Sequence, residues 1–389
     1  MDRSRERVGD ASARRVLFAI GGLRRGGSEL QLVELLTRVH PEGVQATVVT
    51  WDPQADAENR ERLAEGGVAH VAIGPIHAAR PLRPALGMAR LARVFRAVRP
   101  DVAYAWLEQA SVLLGPVARA HGVPVVVARR NVSGASVERF PPAALAIRRA
   151  ERLAVVVTGN SEAVLAAARQ RGIRSERLRL VRNGHPDVPP LPAPDGDRVS
   201  VGYLAQLRAE KGHLRLLDAL ELLRSPHTWG VDVAGEGPLR ATIEAEVARR
   251  GLGNRVRLVG AVTDARGFWA TRSIAALLSD HEGSPNALIE AAFAGRPLLG
   301  TDTAGISEVV APAGGLLVDR DDPRGTAEAL GRLVESDAMR RQLGEGAYAQ
   351  AKARFSMDAF VRGHLDAIFE AAATRAERRR RGDRERSRG

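Results

Sequence analysis

The feature that most constrains this chain is an alternation. Short runs of Val, Leu, Ile and Ala, with few polar residues inside them, are separated by longer stretches in which apolar residues recur at helical spacing. In the first half the runs are Arg15–Ile20, Ala46–Thr50, Ala69–Ile73, Asp101–Ala105, Val123–Ala128, Ala154–Thr158 and Leu178–Val181. Helical patterns such as Ser28–Val39, Leu86–Val98 and Glu162–Arg171 lie between them. A strand that is apolar along its length is covered on both faces, and a strand–helix–strand succession builds a parallel sheet with helices on each side. The pattern breaks at Asn183–Asp197, NGHPDVPPLPAPDGD, where five prolines and two glycines read as a linker. It resumes with runs at Val199–Tyr203, Gly230–Ala234, Val256–Val259, Ala275–Leu278, Leu298–Thr301 and Gly315–Val318, and with helical patterns at Leu214–Leu223, Leu239–Arg250, Ala287–Ala294 and Pro323–Glu335.

The expected fold class is α/β, with two doubly wound, Rossmann-like domains facing across a cleft. The expected boundaries are a disordered basic N-terminus at 1–13, a first domain at 14–185, a Pro-rich linker at 186–198 and a second domain at 199–355. A helix at 356–374 is expected to dock back towards the first domain, and 375–389 to form a disordered basic tail. Ligands of such sheets bind beyond the carboxyl ends of the strands, so the cleft is the expected site.

Composition narrows the function. With 44% hydrophobic and 27% charged residues the chain is ordinary globular material. No apolar run approaches the roughly 18 residues of a membrane span, and the charged start does not read as a secretory leader. A cytoplasmic location is the expectation. The absence of cysteine excludes disulfides, thiol catalysis and Cys-ligated metal centres. The net charge is +12, and residues 375–389 carry eight Arg against Glu377, Asp383 and Glu385. Such a tail is a solvated arm or a peripheral contact with the inner, anionic face of a membrane. Nucleic acid is not an expected partner: aromatics are only 4%, and no stacking or zinc-finger motif accompanies the charge.

Four motifs carry chemistry. Gly21–Glu29, GGLRRGGSE, joins the first strand to a helix; its glycines bring backbone close to a ligand, but it is neither G-x-G-x-x-G nor a P-loop. Val201–Gly212, VGYLAQLRAEKG, sets Arg208 and Lys211 ahead of a helix, cations suited to a diphosphate. Lys211 is one of two lysines, the other being Lys352. Val233–Pro238, VAGEGP, is a strand entering a glycine turn. Ser279–Glu290, SDHEGSPNALIE, sets Glu282 in a loop and Glu290 on a helix starting near Asn286. First-turn amides of Asn286, Ala287 and Leu288 suit phosphate oxygens, and Glu290 suits a pair of sugar hydroxyls. Both carboxylates are expected in a single pocket. Asp195–Asp197 and Asp319–Asp321 are D-x-D strings read as solvated turns, so no metal site is expected. No G-x-S-x-G elbow or Tyr-x-x-x-Lys pair supports a hydrolase or a nucleotide-sugar epimerase.

In this order the motifs resemble the family-4 (group 1) retaining glycosyltransferases of the GT-B fold, over about residues 14–374. EGSPNALIEAAFAGRPLLGTDTAGISEVV is the most specific string, helped by Asn160–Ser161–Glu162, the VRNG of Val181–Gly184 and RFSMDAF at Arg354–Phe360. The resemblance implies a transferase that moves a sugar from a nucleotide-sugar, which is substrate and not cofactor, to a glycan or lipid-linked acceptor in polysaccharide biosynthesis, without metal. Glu282 and Lys211 would be catalytic, Glu282 beside the donor sugar and Lys211 on the diphosphate. Donor binding would further draw on Gly26, Gly27, Gln206, Arg208, Gly283, Asn286, Ala287, Leu288 and Glu290. The turns at Gly235, Glu236 and Gly237 and at Val259 and Gly260 would flank the base, and Trp106 and Gln109 would lie on the acceptor side. Gln206 stands where the family commonly has Arg, and Gln109 near where it often has His. Both substitutions leave open an alternative: a GT-B-like nucleotide- or glycan-binding protein of weak or absent catalysis.

Overall fold

The computed structural model describes residues 14–52, 55–74, 83–132, 141–194, 196 and 198–386. The first domain is a parallel sheet built from β1 (Arg14–Ile20), β2 (Val44–Thr50), β3 (Ala69–Ala72), β4 (Val102–Trp106), β5 (Val125–Arg129), β6 (Val156–Gly159) and β7 (Leu178–Leu180). Its helices are α1 (Gly27–Val39), α2 (Ala57–Glu65), α3 (Arg83–Val98), α4 (Ala110–Ala120), α5 (Pro141–Leu153) and α6 (Glu162–Gln170). The second domain holds β8 (Val199–Leu204), β9 (Trp229–Ala234), β10 (Val256–Gly260), β11 (Ile274–Leu277), β12 (Leu298–Thr301) and β13 (Leu316–Val318). Around them run α7 (His213–Leu222), α8 (Arg240–Arg249), α9 (Ala265–Ala270), α10 (Asn286–Phe293), α11 (Ala304–Val310), α12 (Pro323–Glu335) and α13 (Asp337–Arg354), and the long α14 (Met357–Arg386) closes the described chain.

The strand orders are β3-β2-β1-β4-β5-β6-β7 and β10-β9-β8-β11-β12-β13. Each sheet therefore reverses direction of growth once, between β1 and β4 and between β8 and β11. These are the topological switch points at which an open α/β sheet leaves a crevice for ligand. The loops leaving β1, β8 and β11 carry three of the four motifs. The strands sit close to where apolar runs predict them, because the central strands of each sheet are covered on both faces. Leu17, Ala19, Ala103, Ala105 and Val127 pack on one face of the first sheet, and Val16, Phe18, Ile20, Tyr104 and Ala128 on the other.

α14 belongs to the first domain in packing terms. Met357, Phe360, Val361, Leu365, Ile368 and Ala371 join the core beneath β1, β4 and β5. Buried His364 exchanges a 2.7 Å hydrogen bond with Tyr104 Oη. The helix runs on to Arg386, so 375–386 is helical where a disordered tail is expected. Ala, Arg and Glu, strong helix formers, supply most of that stretch and favour continuation. The expected N-terminal arm 1–13 lies outside the described residues, as do Asp195 and Asp197. Asp319–Asp321 is a surface turn in which Asp321 N–H donates to Asp319 Oδ1 at 2.8 Å.

Candidate active site

The crevice between the domains is a cleft of about 510 Å³. One wall is the Arg24–Glu29 loop with Arg130, Asn131, Asn160 and Asn183; the other is Leu204–Gln206, Arg208, Lys211 and Glu282–Ala287. Of the residues singled out from sequence, Gly26, Gly27, Gln206, Arg208, Lys211, Glu282, Gly283, Asn286 and Ala287 come together here.

Lys211 ends a single turn of 3-10 helix, Ala209–Lys211, that follows β8. Its Nζ donates to Glu282 Oε1 at 2.6 Å, with both side chains mostly covered. Buried Tyr203 fixes the Lys211 turn relative to β11: its hydroxyl donates to Lys211 O and accepts from Leu278 N–H at 2.8 Å. Burial pushes that phenol far above the ordinary tyrosine range, so it stays a neutral donor. Sequence reading misses Tyr203, whose alternation within β8 marks only a core position.

α10 starts at Asn286 behind Pro285, and the Ile289 N–H is bonded to Pro285 O at 3.2 Å. The amides of Asn286, Ala287 and Leu288 are thus first-turn donors, and the first two line the cleft beside Lys211. Together with Lys211 they make a positive end suited to an anion.

Gly27 and Gly283 mark where the domains touch. A Cβ on Gly27 would stand 2.7 Å from Asn286 Nδ2, and one on Gly283 would stand 2.0 Å from Arg130 O. Both glycines permit approach between domains, where the sequence suggests approach to a ligand. Asn286 Nδ2 donates to Gly27 O at 3.0 Å. Asn183, buried before the linker, donates to Asn286 Oδ1 and accepts from Arg130 Nη2. A second clamp lies behind the cleft: Glu308 of α11 accepts from Glu162 N–H at 2.9 Å and Ala163 N–H at 2.8 Å, at the N-terminus of α6.

Glu290 does not share a pocket with Glu282. It lines a hollow of about 120 Å³ with His185, Ala265, Arg266, Phe293 and Ala294. Four residues along a helix return to the same face, so Glu290 lies one turn, roughly 6 Å, beyond Asn286 along α10. The residue is only partly covered, yet desolvation of its carboxyl pushes its pKa up to about 7. Leu288 is core.

Gly235, Glu236, Gly237, Val259 and Gly260 gather beside the Gln206–Leu207 loop rather than among the cleft walls. Gly235 N–H bonds Gly260 O at 2.7 Å and Leu207 N–H bonds Glu236 O at 3.0 Å, while Glu236 pairs with Arg240. Trp106 is fully buried: its indole N–H donates to Ser28 O at 2.9 Å and its ring lies under Arg130. It supports the wall and presents no face to an acceptor, because it closes β4 inside the sheet. Gln109 precedes α4, half-buried and away from the cleft walls. Sequence reading assigns no role to Glu29, Arg130 or Asn131, and quotes Asn160 and Asn183 only within motifs. All five line the cleft.

Two domains of this topology with an anion-ready cleft between them define the GT-B class. Family models agree: residues 25–187 match Glycosyltransferase Family 4 and residues 198–336 match Glycosyl transferases group 1. The chain belongs to the group 1 glycosyltransferases. It is 26% identical over 360 residues to the lipopolysaccharide core biosynthesis glycosyltransferase LpsD of Rhizobium meliloti, covering 90% of this chain and 97% of that one. To LpsE of the same organism it is 24% identical, covering 88% and 96%. Among solved structures, HepE of Anabaena in complex with UDP and glucose superposes with a TM-score of 0.78 at 22% identity, covering 91% of this chain and 99% of that one. WaaG, a glycosyltransferase involved in lipopolysaccharide biosynthesis, gives 0.71 at 16%, covering 91% and 99%.

Proposed function

We propose that this glycosyltransferase moves a sugar from a nucleotide-sugar to a hydroxyl of a glycan or lipid-linked acceptor, with retention at the donor carbon and without metal. The observation that carries the reading is the Lys211–Glu282 pair at the mouth of the α10 N-terminus. A departing diphosphate needs cations and free amides, and Lys211, Arg208 and the Asn286 and Ala287 amides supply them on one wall. The donor carbon–oxygen bond breaks towards the diphosphate and the acceptor oxygen bonds to the same face of that carbon. The acceptor proton passes to a diphosphate oxygen, so no protein nucleophile is required. Glu282, held by Lys211, orients the donor sugar and meets the positive charge that develops on its ring. Glu290, one turn along α10 from Asn286, takes the ribose hydroxyls.

The relatives in lipopolysaccharide core biosynthesis support an acceptor in polysaccharide or glycolipid assembly. The complexes of HepE with UDP and with UDP-glucose make uridine nucleotides the first to try. Among the described residues no helix is long and apolar enough to cross a membrane; the Arg-rich end of the chain is proposed to reach an anionic bilayer from the cytoplasmic side. The test is a panel of nucleotide-sugars screened by thermal stabilisation, then transfer by the purified protein with the anomeric configuration read by NMR. An inverted product removes the front-face route. Stabilisation with neither transfer nor donor hydrolysis makes the chain a binding protein.

A further inference from the structure

Arg130 ends the β5 side of the cleft and is almost wholly buried, at 5% exposure. Its guanidinium lies 4.7 Å above the Trp106 ring, and its Nη2 donates to the neutral Asn183 Oδ1. No carboxylate among the described residues lies within ion-pair distance of it. Two arginines on the same wall do have such partners: Arg24 pairs with Asp52, and Arg25 with Asp56 and Glu58. A guanidinium taken out of water without a counter-charge is costly, and the cost is offset when an anion arrives. Burial pulls its pKa down to about 10, and the same effect raises that of Glu29, the nearest carboxylate on this wall. Each also acts on the other beyond ion-pair distance, Glu29 raising the Arg130 pKa and Arg130 lowering that of Glu29, and burial outweighs both effects.

Beside it, Asn160 is 4% exposed, and its Oδ1 is buried without a hydrogen-bond partner. Asn160 and Asn131 line the same wall. The wall therefore offers a fixed cation next to an amide with spare capacity. Lys211 and the α10 amides, the groups for the donor diphosphate, belong to the other domain.

From this we infer that Arg130 binds an acidic group of the acceptor, a phosphate or carboxylate on the sugar that receives the new bond, while Asn160 accepts one of its hydroxyls. The inference rests on the proposed transferase reading and narrows its acceptor to anionic glycans. The oxyanion is common to two sources, acceptor acid and donor diphosphate, and the experiment separates them.

The protein is first saturated with UDP, whose binding is measured by calorimetry, and then titrated with glucose, glucose 6-phosphate and glucuronic acid. The expected result is binding of at least one acidic sugar about tenfold or more tighter than glucose, the factor of a charge-assisted hydrogen bond. Arg130→Gln is expected to erase that preference and Arg130→Lys to keep part of it, with UDP affinity in both within about twofold of the parent. Equal binding of acidic and neutral sugars by the parent overturns the inference without any variant. So does a preference that survives Arg130→Gln. A loss of UDP affinity as large as the loss of acidic sugar assigns the oxyanion to the donor and also overturns it. Failure of UDP and every other nucleotide to bind would instead defeat the transferase reading on which the inference stands.

Discussion

Lys211 Nζ and Glu282 Oε1 meet at 2.6 Å although 71 residues separate them in the chain. The contact joins the loop after β8 to the loop after β11, across the switch point of the second sheet. Lys211→Ala is expected to lower turnover tenfold or more, from loss of a charged hydrogen bond worth about 1.5–3 kcal/mol. Glu282→Gln should also slow turnover. Because each residue orients the other, the double variant should fall short of the product of the two single losses. Steady-state kinetics of the four proteins decide it, and an additive double variant would mean that the pair does not act as a unit.

Glu290 ties stability to pH. Its folded pKa, about 7, lies above the ordinary 4.5, so the folded state holds a proton that the unfolded chain releases between those values. Stability attached to this group is therefore present below about pH 4.5 and lost as pH rises through 7. Glu290→Gln should raise the melting temperature at pH 8 and change little at pH 4.5. The gain is on the order of 1–2 kcal/mol, since the residue is partly exposed. If the ionised carboxylate grips ribose, the parent's donor KM should fall between pH 6 and 8, and the variant's should be higher and flat. A variant with the parent's KM at pH 8 would remove Glu290 from the donor site.

These two carboxylates show what could be read in advance. The strands could be read to within about two residues at each end, because a strand covered on both faces writes its burial into consecutive apolar positions. Lys211, Glu282 and the start of α10 could be read because their signal lies within short strings. Whether Glu282 and Glu290 share a pocket could not, since one stands on a loop and only the other takes its direction from helix geometry. Arg130, Asn160 and Asn183 belong to the same blind region. Arg130 is bonded to Asn183 from another loop and Asn183 to Asn286 of the other domain, and no local pattern encodes where two domains meet. Trp106 errs the opposite way: the resemblance puts it on the acceptor side, and the core closes over it.

Glu308 is a cap supplied from the wrong domain. Its carboxylate oxygens take the Glu162 and Ala163 amides at the start of α6, to which Ser161 adds a bond from Val164 N–H at 3.2 Å. Glu308→Ala is expected to cost about 1 kcal/mol, as for other lost N-caps, and to lower the melting temperature by a few degrees. Because the contact crosses between domains, the variant should also show a larger radius of gyration in X-ray scattering. Unchanged melting and scattering would mean that the Asn183–Asn286–Gly27 chain and the docked α14 hold the domains without it.

The last prediction concerns the end of α14. The packed part of the helix finishes at Arg375, whose Nη1 donates to Pro100 O at 2.7 Å and pairs with Asp101. Beyond it residues 376–389 carry seven Arg against three acidic residues. Basic residues near an anionic bilayer each add about 1 kcal/mol of attraction. Removing 376–389 should therefore abolish sedimentation with vesicles containing phosphatidylglycerol at low salt. The melting temperature should not move, because Phe360, Leu365 and Ile368 remain docked under the first sheet. Transfer to a short soluble acceptor should also persist, while transfer to a lipid-linked acceptor in vesicles falls. Vesicle binding that survives the truncation would place the lipid contact elsewhere and make the arginine run a solvated arm.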